Sequence, residues 1–329
     1  MLKNTILAIG LFCGFVSNAQ FGINSITVKA VTSTATACFE NKLKPDDYKK
    51  LKKMTTYFVC AKGVSQDMAA LQQLFDDAWD YNDIVVIAQE DIQEHIREKN
   101  AAFFTPSIAT LDGNIREIYY ELWSIKDQTK SIDSYNMIQY CRFNIYYLCE
   151  YSIKKIELPT TNDLFDYLYN EAEMRNFKPG IVANYLKFLE TYLKEEKYLY
   201  CHSRIADLGK LKDLKQDTLY ITGNIKNKYS IKTLKMSCEL DEEQEVEKLM
   251  EKYPYPYEFI SYEDLNDKII NGDNFNYALC LKSNLTTKHI SIFNSRSGEC
   301  IYNKTDNGSI SFKSGDLKYI AEAINKEEK

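Results

Sequence analysis

The chain has 329 residues, 45% apolar and 27% charged, enough to build a packed core and too apolar to stay disordered. Its 12 glycines and 6 prolines fall well below average usage, which excludes collagen-like and low-complexity chains and argues against a turn-dense propeller or sandwich. A net charge of −6 leaves no basic surplus for a phosphate backbone, so nucleic acid is not an expected partner.

Residues 1–19 read as a secretory signal peptide. Lys3 supplies the positive start, Ile6 to Val16 an apolar run of eleven residues, and Ser17 and Ala19 the small residues for a cut before Gln20. An apolar run needs about 20 residues to span a bilayer, so this one is too short. Bulky Phe12 before Cys13 disfavours lipidation there. No later apolar stretch reaches the roughly 18 residues of a membrane-span candidate, so no transmembrane segment is expected in the mature chain. Export then places the protein in the periplasm or outside the cell. Residues 20–50 read as a polar leader in which Ile26-Thr27-Val28 fits a strand. Lys42 to Lys53 holds six lysines beside Asp46 and Asp47, a mixed solvated face.

Leu51-Lys52-Lys53 enters a β-rich run, Thr56 to Val59. A helix over Asp67 to Trp79 follows, with Met68, Leu71, Leu74, Phe75 and Trp79 on one face and Ser65 or Asp67 as its cap. Val86-Ile87-Ala88 reads as a strand, Glu90-Asp91 as the opening of a short helix, Ala102 to Phe104 as a second strand, and Ile118 to Trp123 as a third. Asp112-Gly113-Asn114 predicts a hairpin turn before that third strand. In residues 136–148, Cys141, Phe143, Ile145 and Tyr147 alternate as in a strand, with Gln139 the polar member. Residues 159–199 read as a helical hairpin: Thr160 or Thr161 caps a helix through Leu164, Phe165, Leu168 and Tyr169, and Pro179 opens a second with Ile181, Tyr185, Phe188, Leu189 and Tyr192 inward.

The earlier pattern then recurs. Leu214-Lys215 enters Thr218 to Ile221, and a helix over Asp241 to Lys252 carries the stripe Val246, Leu249, Met250 and Tyr253. Residues 86–92 align with Phe259-Ile260-Ser261-Tyr262-Glu263-Asp264-Leu265, and the offset of 173 continues without a gap to set Ile96 on Ile269 and Phe104 on Tyr277. Strands over Tyr277 to Leu281 and His289 to Phe293 complete the second copy, and Asn294 to Gly298 separates them from Cys300-Ile301-Tyr302. A helix over Asp316 to Asn325, with Ile320, Ala323 and Ile324 inward, closes the chain. The expected fold class is α/β (α+β): two related mixed-sheet α/β sandwich domains from an internal duplication, joined by a helical hairpin. The boundaries are 51–158 for the first, 159–210 for the connector and 211–329 for the second.

Chemistry is sparse. Eight cysteines remain after cleavage: Cys38, Cys60, Cys141, Cys149, Cys201, Cys238, Cys280 and Cys300. Their even number permits disulfides in an exported protein, but the pairing stays open. No C-x-x-C or H-E-x-x-H occurs, nor any glycine-rich phosphate loop or G-x-S-x-G elbow. Cys60 and Cys280 sit in strand-like runs and read as small buried hydrophobes. His95 reads as a solvated residue of a charged helix, Cys201-His202 as a loop pair whose adjacency disfavours a dyad, and His289 as a strand-edge residue near Cys280. Glu90-Asp91 and Glu263-Asp264 suit helix N-termini better than acid–base work. No catalytic, cofactor-binding or metal-ligating residue is assigned, and no cofactor is expected.

Phe103-Phe104-Thr105, Tyr119-Tyr120-Glu121-Leu122-Trp123, Pro179-Gly180-Ile181, Asn184 to Phe188 and Asp217 to Ile221 resemble stretches of a group of exported bacterial proteins of unassigned function. The strand–helix order of each copy is also similar to small α/β domains of envelope assembly proteins, such as the N-terminal domain of TolB and the curli-secretion lipoprotein. The likeness implies an envelope or secreted setting and no chemistry. The chain departs from the lipoprotein in lacking a lipidated cysteine. The expected function is that of an exported, non-enzymatic protein binding an envelope or extracellular partner through exposed Tyr and Phe. The alternative is an exported hydrolase or thiol-dependent enzyme with scattered active-site residues. Mass spectrometry of the exported product should find Gln20, or its cyclised form, at the N-terminus; an intact Met1 would exclude the signal peptide.

Overall fold

The computed structural model describes residues 16–18, 21–23, 26–28, 32–34, 43–60, 67–111, 114–130, 132, 136–144, 178–197, 205–226, 245–282, 287–307 and 311–326. Most of the expected signal peptide and leader, the helix expected near residues 160–169, and Cys201-His202 lie outside these residues. Four three-residue strands, β1 (Val16–Asn18), β2 (Phe21–Ile23), β3 (Ile26–Val28) and β4 (Thr32–Thr34), pair antiparallel, β1 with β4 and β2 with β3.

The fold is of the α/β class, with helices packed on two mixed sheets. The first sheet joins β5 (Thr55–Val59), β6 (Ile84–Ile87), β7 (Ala101–Leu111), β8 (Asn114–Ile125) and β9 (Met137–Asn144) in the order β6-β5-β7-β8-β9. Its first three strands run parallel, so crossovers are needed, and α2 (Met68–Asp76) makes the first of them. Asp67 caps that helix by accepting from Ala70 N at 2.9 Å, as the sequence pattern predicts. Leu111 pairs with Asn114, so β7 and β8 form the expected hairpin, with Asn114 already in the strand. Ahead of β5, the short helix α1 (Pro45–Leu51) turns Tyr48 and Leu51 into the core and leaves its lysines in water.

The second sheet joins β10 (Ile205–Ala206), β11 (Leu219–Thr222), β12 (Tyr257–Ile260), β13 (Asn276–Lys282), β14 (Thr287–Asn294) and β15 (Cys300–Asn307) in the order β10-β15-β14-β13-β11-β12. Apart from β10, this is the order of the first sheet: second strand, first, third, fourth, fifth. The short helix α3 (Ile92–His95) lies between β6 and β7, and α7 (Tyr262–Ile270) between β12 and β13. Ser261 caps α7 by accepting from Asp264 N at 3.0 Å, so the acidic pair Glu263-Asp264 opens this helix as expected.

Pro179 is the first residue of α4 (Pro179–Lys194). The stripe expected from the sequence covers one face of this helix, but burial extends further, to Val182, Ala183 and Leu186. The reason is that α4 packs against both halves. Phe58 stacks on Tyr120 at 5.2 Å, Tyr120 on Phe143 at 5.7 Å, and Phe143 on Tyr185 of α4 at 4.8 Å. Tyr185 then meets Phe293 edge-on at 5.6 Å, and Phe293 stacks on Tyr277 at 5.8 Å. Each such pair adds about 0.5–1.5 kcal/mol beyond its buried area. Asn184, buried on the same helix, donates to Tyr277 Oη at 3.1 Å and to the Asn294 carbonyl at 3.3 Å.

Two glycines let α4 sit this close. A Cβ on Gly180 would lie 2.9 Å from the Asn266 carbonyl of α7, whose side chain accepts from Gly180 N at 2.8 Å. Gly298 has φ +70° in the β14–β15 turn, and a Cβ there would lie 2.5 Å from Lys187 Cβ. Lys194 bridges Asp80 and Glu190, fixing the helix to the segment after α2.

The far face of the second sheet buries Leu219, Ile221, Ile290, Ile292 and Ile301 under α5 (Leu208–Leu211), α6 (Val246–Met250) and α8 (Ser314–Asn325). Lys288 is buried in that layer. Its ammonium lies 2.6 Å from Asp316 Oδ2 and donates to the Ser311 carbonyl at 2.7 Å. Side-chain exposure is 1% for Lys288 and 4% for Asp316, so neither charge has water to fall back on. Asp316→Ala should therefore cost about 3–5 kcal/mol, measured as a lower urea midpoint at unchanged slope, and pairing it with Lys288→Met should recover most of that loss.

Candidate functional site

The residues that carry chemistry are mostly absorbed by packing. His95 stacks on Tyr57 at 4.2 Å, and its Nδ1 lies 2.8 Å from Glu98 Oε1. Tyr57 donates to Glu98 Oε2 at 2.8 Å. Loss of water first, and then the bond to Glu98, push the Tyr57 phenol up to about 12. The bond from His95, with that from Tyr57 behind it, holds the Glu98 carboxyl below the usual range. His95 is thus a bonded, half-buried member of a cluster and not the solvated residue expected.

His289 is buried, with Nδ1 2.9 Å from Thr305 Oγ1. In the ladder it pairs with Leu281, while Cys280 pairs with Ile290. Positions alternate across a strand, so 280 and 289 lie on opposite faces, and His289 is a buried polar member of the ladder. Cys141 and Cys300 are free and buried, and Cys60 is buried, the small apolar role expected of it. Burial pushes the thiols of Cys141 and Cys300 well up, so neither is a thiolate at neutral pH. Among the described residues no group of three or more His, Cys, Asp and Glu side chains is placed to share a metal ion, and no helix is long and apolar enough to cross a membrane.

The two sheets differ at one place that bears on binding, the open edge beyond the second strand of each. In the first sheet, Thr56 N bonds to Asp83 O and Cys60 N to Ile87 O, so Val85 and Ile87 face β5 and Ile84 and Val86 face outward. The side chain of Gln72 on α2 covers that edge. Its Nε2 donates to Ile84 O at 2.8 Å, and its Oε1 accepts from Val86 N at 2.7 Å. One primary amide thereby fills the place of a neighbouring strand's peptide group, which blunts the edge.

In the second sheet, Leu219 N bonds to Pro256 O, and the same register turns Glu258 and Ile260 toward β11. Tyr257 and Phe259 then face outward with both backbone groups. Among the described residues no side chain covers them as Gln72 covers the first edge. The flank is aromatic instead. Tyr257 is 38% exposed and packs edge-on against Phe259 at 5.8 Å, with Tyr253 at 6.4 Å from it and Tyr255 at 5.4 Å from Tyr253. Lys226 sets its ammonium 4.2 Å over the Phe259 ring. Glu258, exposed on the other face of the strand, makes no ion pair among the described residues. The hydroxyl of Tyr253 is buried without a hydrogen-bond partner among the described residues, and burial pushes its phenol up.

The available sequence signal for this patch was the alternation Tyr253-Pro254-Tyr255-Pro256-Tyr257. For Gln72 there was none, because a polar residue on a helix of mixed character reads as solvated. Comparison of the chain with family models, with curated proteins and with solved structures finds no match. Gln72→Ala should uncover Ile84 O and Val86 N, and amide hydrogen exchange at Val86 should then rise above the wild-type rate while that at Phe58, inside the sheet, stays unchanged.

Proposed function

We propose that the chain is an exported, non-enzymatic binding protein whose contact surface is the outer edge of β12. The observation that carries this reading is the contrast between two edges at equivalent places in two like-ordered sheets: one covered by Gln72, the other uncovered among the described residues and flanked by Tyr255, Tyr257 and Phe259. Aromatic side chains dominate the energetics of interfaces, and sheet edges are blunted where no partner is wanted. The partner is an envelope or extracellular molecule, in keeping with the export signal read in residues 1–19. The common strand order, with the gapless offset of 173 residues, supports an origin of the two halves by internal duplication.

The enzymatic alternative has less support. His95 is occupied by Glu98 and Tyr57, and His289 lies within reach of Thr305 inside the sheet. The thiols of Cys141 and Cys300 are buried and protonated. A photo-crosslinking amino acid placed at Tyr257 in the producing cells should give a discrete adduct. The same group at Tyr319, which is 50% exposed on α8, should give none. No adduct at 257, or equal adducts at both positions, would remove β12 as the contact surface.

A further inference from the structure

We infer that the outer edge of β12 takes up an extended polypeptide segment as an added antiparallel strand, one that carries a basic residue between two apolar ones. This rests on the reading of that edge as the contact surface. The backbone supplies the first half of the argument. Tyr257 and Phe259 both turn N–H and C=O outward, so two residues of an incoming antiparallel strand can exchange four hydrogen bonds with them. Pro256 turns its carbonyl inward to Leu219, and the chain bends at Tyr255, the preceding outward position, so the open ladder begins with the strand at Tyr257. Ser261 ends it by turning the chain into α7. The site therefore reads a short segment, about three residues long at its centre.

Side chains supply the second half. On one face the partner's two hydrogen-bonded residues lie opposite Tyr257 and Phe259, an aromatic pair that favours apolar or β-branched neighbours. On the other face the partner's middle residue lies opposite Glu258 at a non-hydrogen-bonded position, where side chains approach closest. An exposed carboxylate without an ion pair among the described residues selects a lysine or arginine there. The same carboxylate disfavours a second copy of this chain: self-pairing centred on residue 258 would oppose Glu258 to Glu258. The equivalent edge of the first sheet, β6, is excluded as a site because Gln72 already holds Ile84 O and Val86 N.

The test is a fluorescence-anisotropy titration of the full-length protein against a fluorescein-labelled, end-capped synthetic peptide of alternating valine and lysine. Saturable binding is expected, with an otherwise identical valine–glutamate probe at least about fivefold weaker. Glu258→Lys should reverse that preference, a gain that a misfolded variant does not produce. The valine–lysine probe N-methylated at its valines keeps its charge and side chains but cannot donate to the Tyr257 and Phe259 carbonyls, and it should lose binding. Equal binding of the methylated probe overturns the inference, since it would reflect only a cation drawn to a chain of net charge −6. A probe preference unmoved by Glu258→Lys overturns it as well, as does a dimer in sedimentation that Glu258→Lys abolishes. A crosslink at residue 257 with no binding of either probe removes strand addition and leaves the contact surface standing; the loss of both removes both.

Discussion

The structure depends on one burial problem: a single helix has to be the inside of two sheets. Helix α4 solves it with aromatic rings. Tyr185 takes Phe143 of the first sheet on one side and Phe293 of the second on the other. Because rings prefer offset or edge-on contacts, each neighbour constrains the tilt of the next. A chain of six rings from Phe58 to Tyr277 therefore carries orientation as well as area. Dispersion alone would tolerate a rotated helix; the bond from Asn184 to Tyr277 and the Asn294 carbonyl does not.

Close approach sets the second constraint. A chain short of glycine places Gly180 where α4 crosses α7 and Gly298 where the β14–β15 turn meets α4. Any side chain at these points would wedge the helix off the sheet it serves. The composition that argued against turn-dense folds thus has a positive counterpart, since these two glycines sit where a Cβ would collide with a neighbouring element. The seat of α4 in turn fixes α7, and α7 follows directly from β12. The exposed edge is therefore joined directly to closely packed structure, and its position follows from the seat of α4.

Much of this was legible from residue patterns, and the failures have physical causes. Period-two and period-3.6 runs located the strands and helices, and the 173-residue offset placed β6 with β12 and β7 with β13, because local periodicity reflects which face is buried. The reach of burial around α4 was not legible, since an amphipathic stripe reports one buried face and this helix has more than one. Lys288 looked like any polar residue beside a strand; its partner Asp316 lies 28 positions away, and no local pattern marks such a pair. The edge itself was hidden for a different reason. The Tyr-Pro alternation is visible in the chain, but only the strand order shows that, among the described residues, Tyr257 and Phe259 have no neighbouring strand on one side.

The buried pair of Lys288 and Asp316 also has a meaning in time. By residue 313 every strand of the second sheet has been synthesised, and with them the half-exposed Asp306 at 3.6 Å from Lys288, yet not Asp316, the buried carboxylate that closes on its ammonium at 2.6 Å. Until α8 emerges and docks, hydration of that ammonium works against closing the layer around β14. The last helix therefore acts as a completion signal: the sheet can be hydrogen-bonded throughout and still not be sealed.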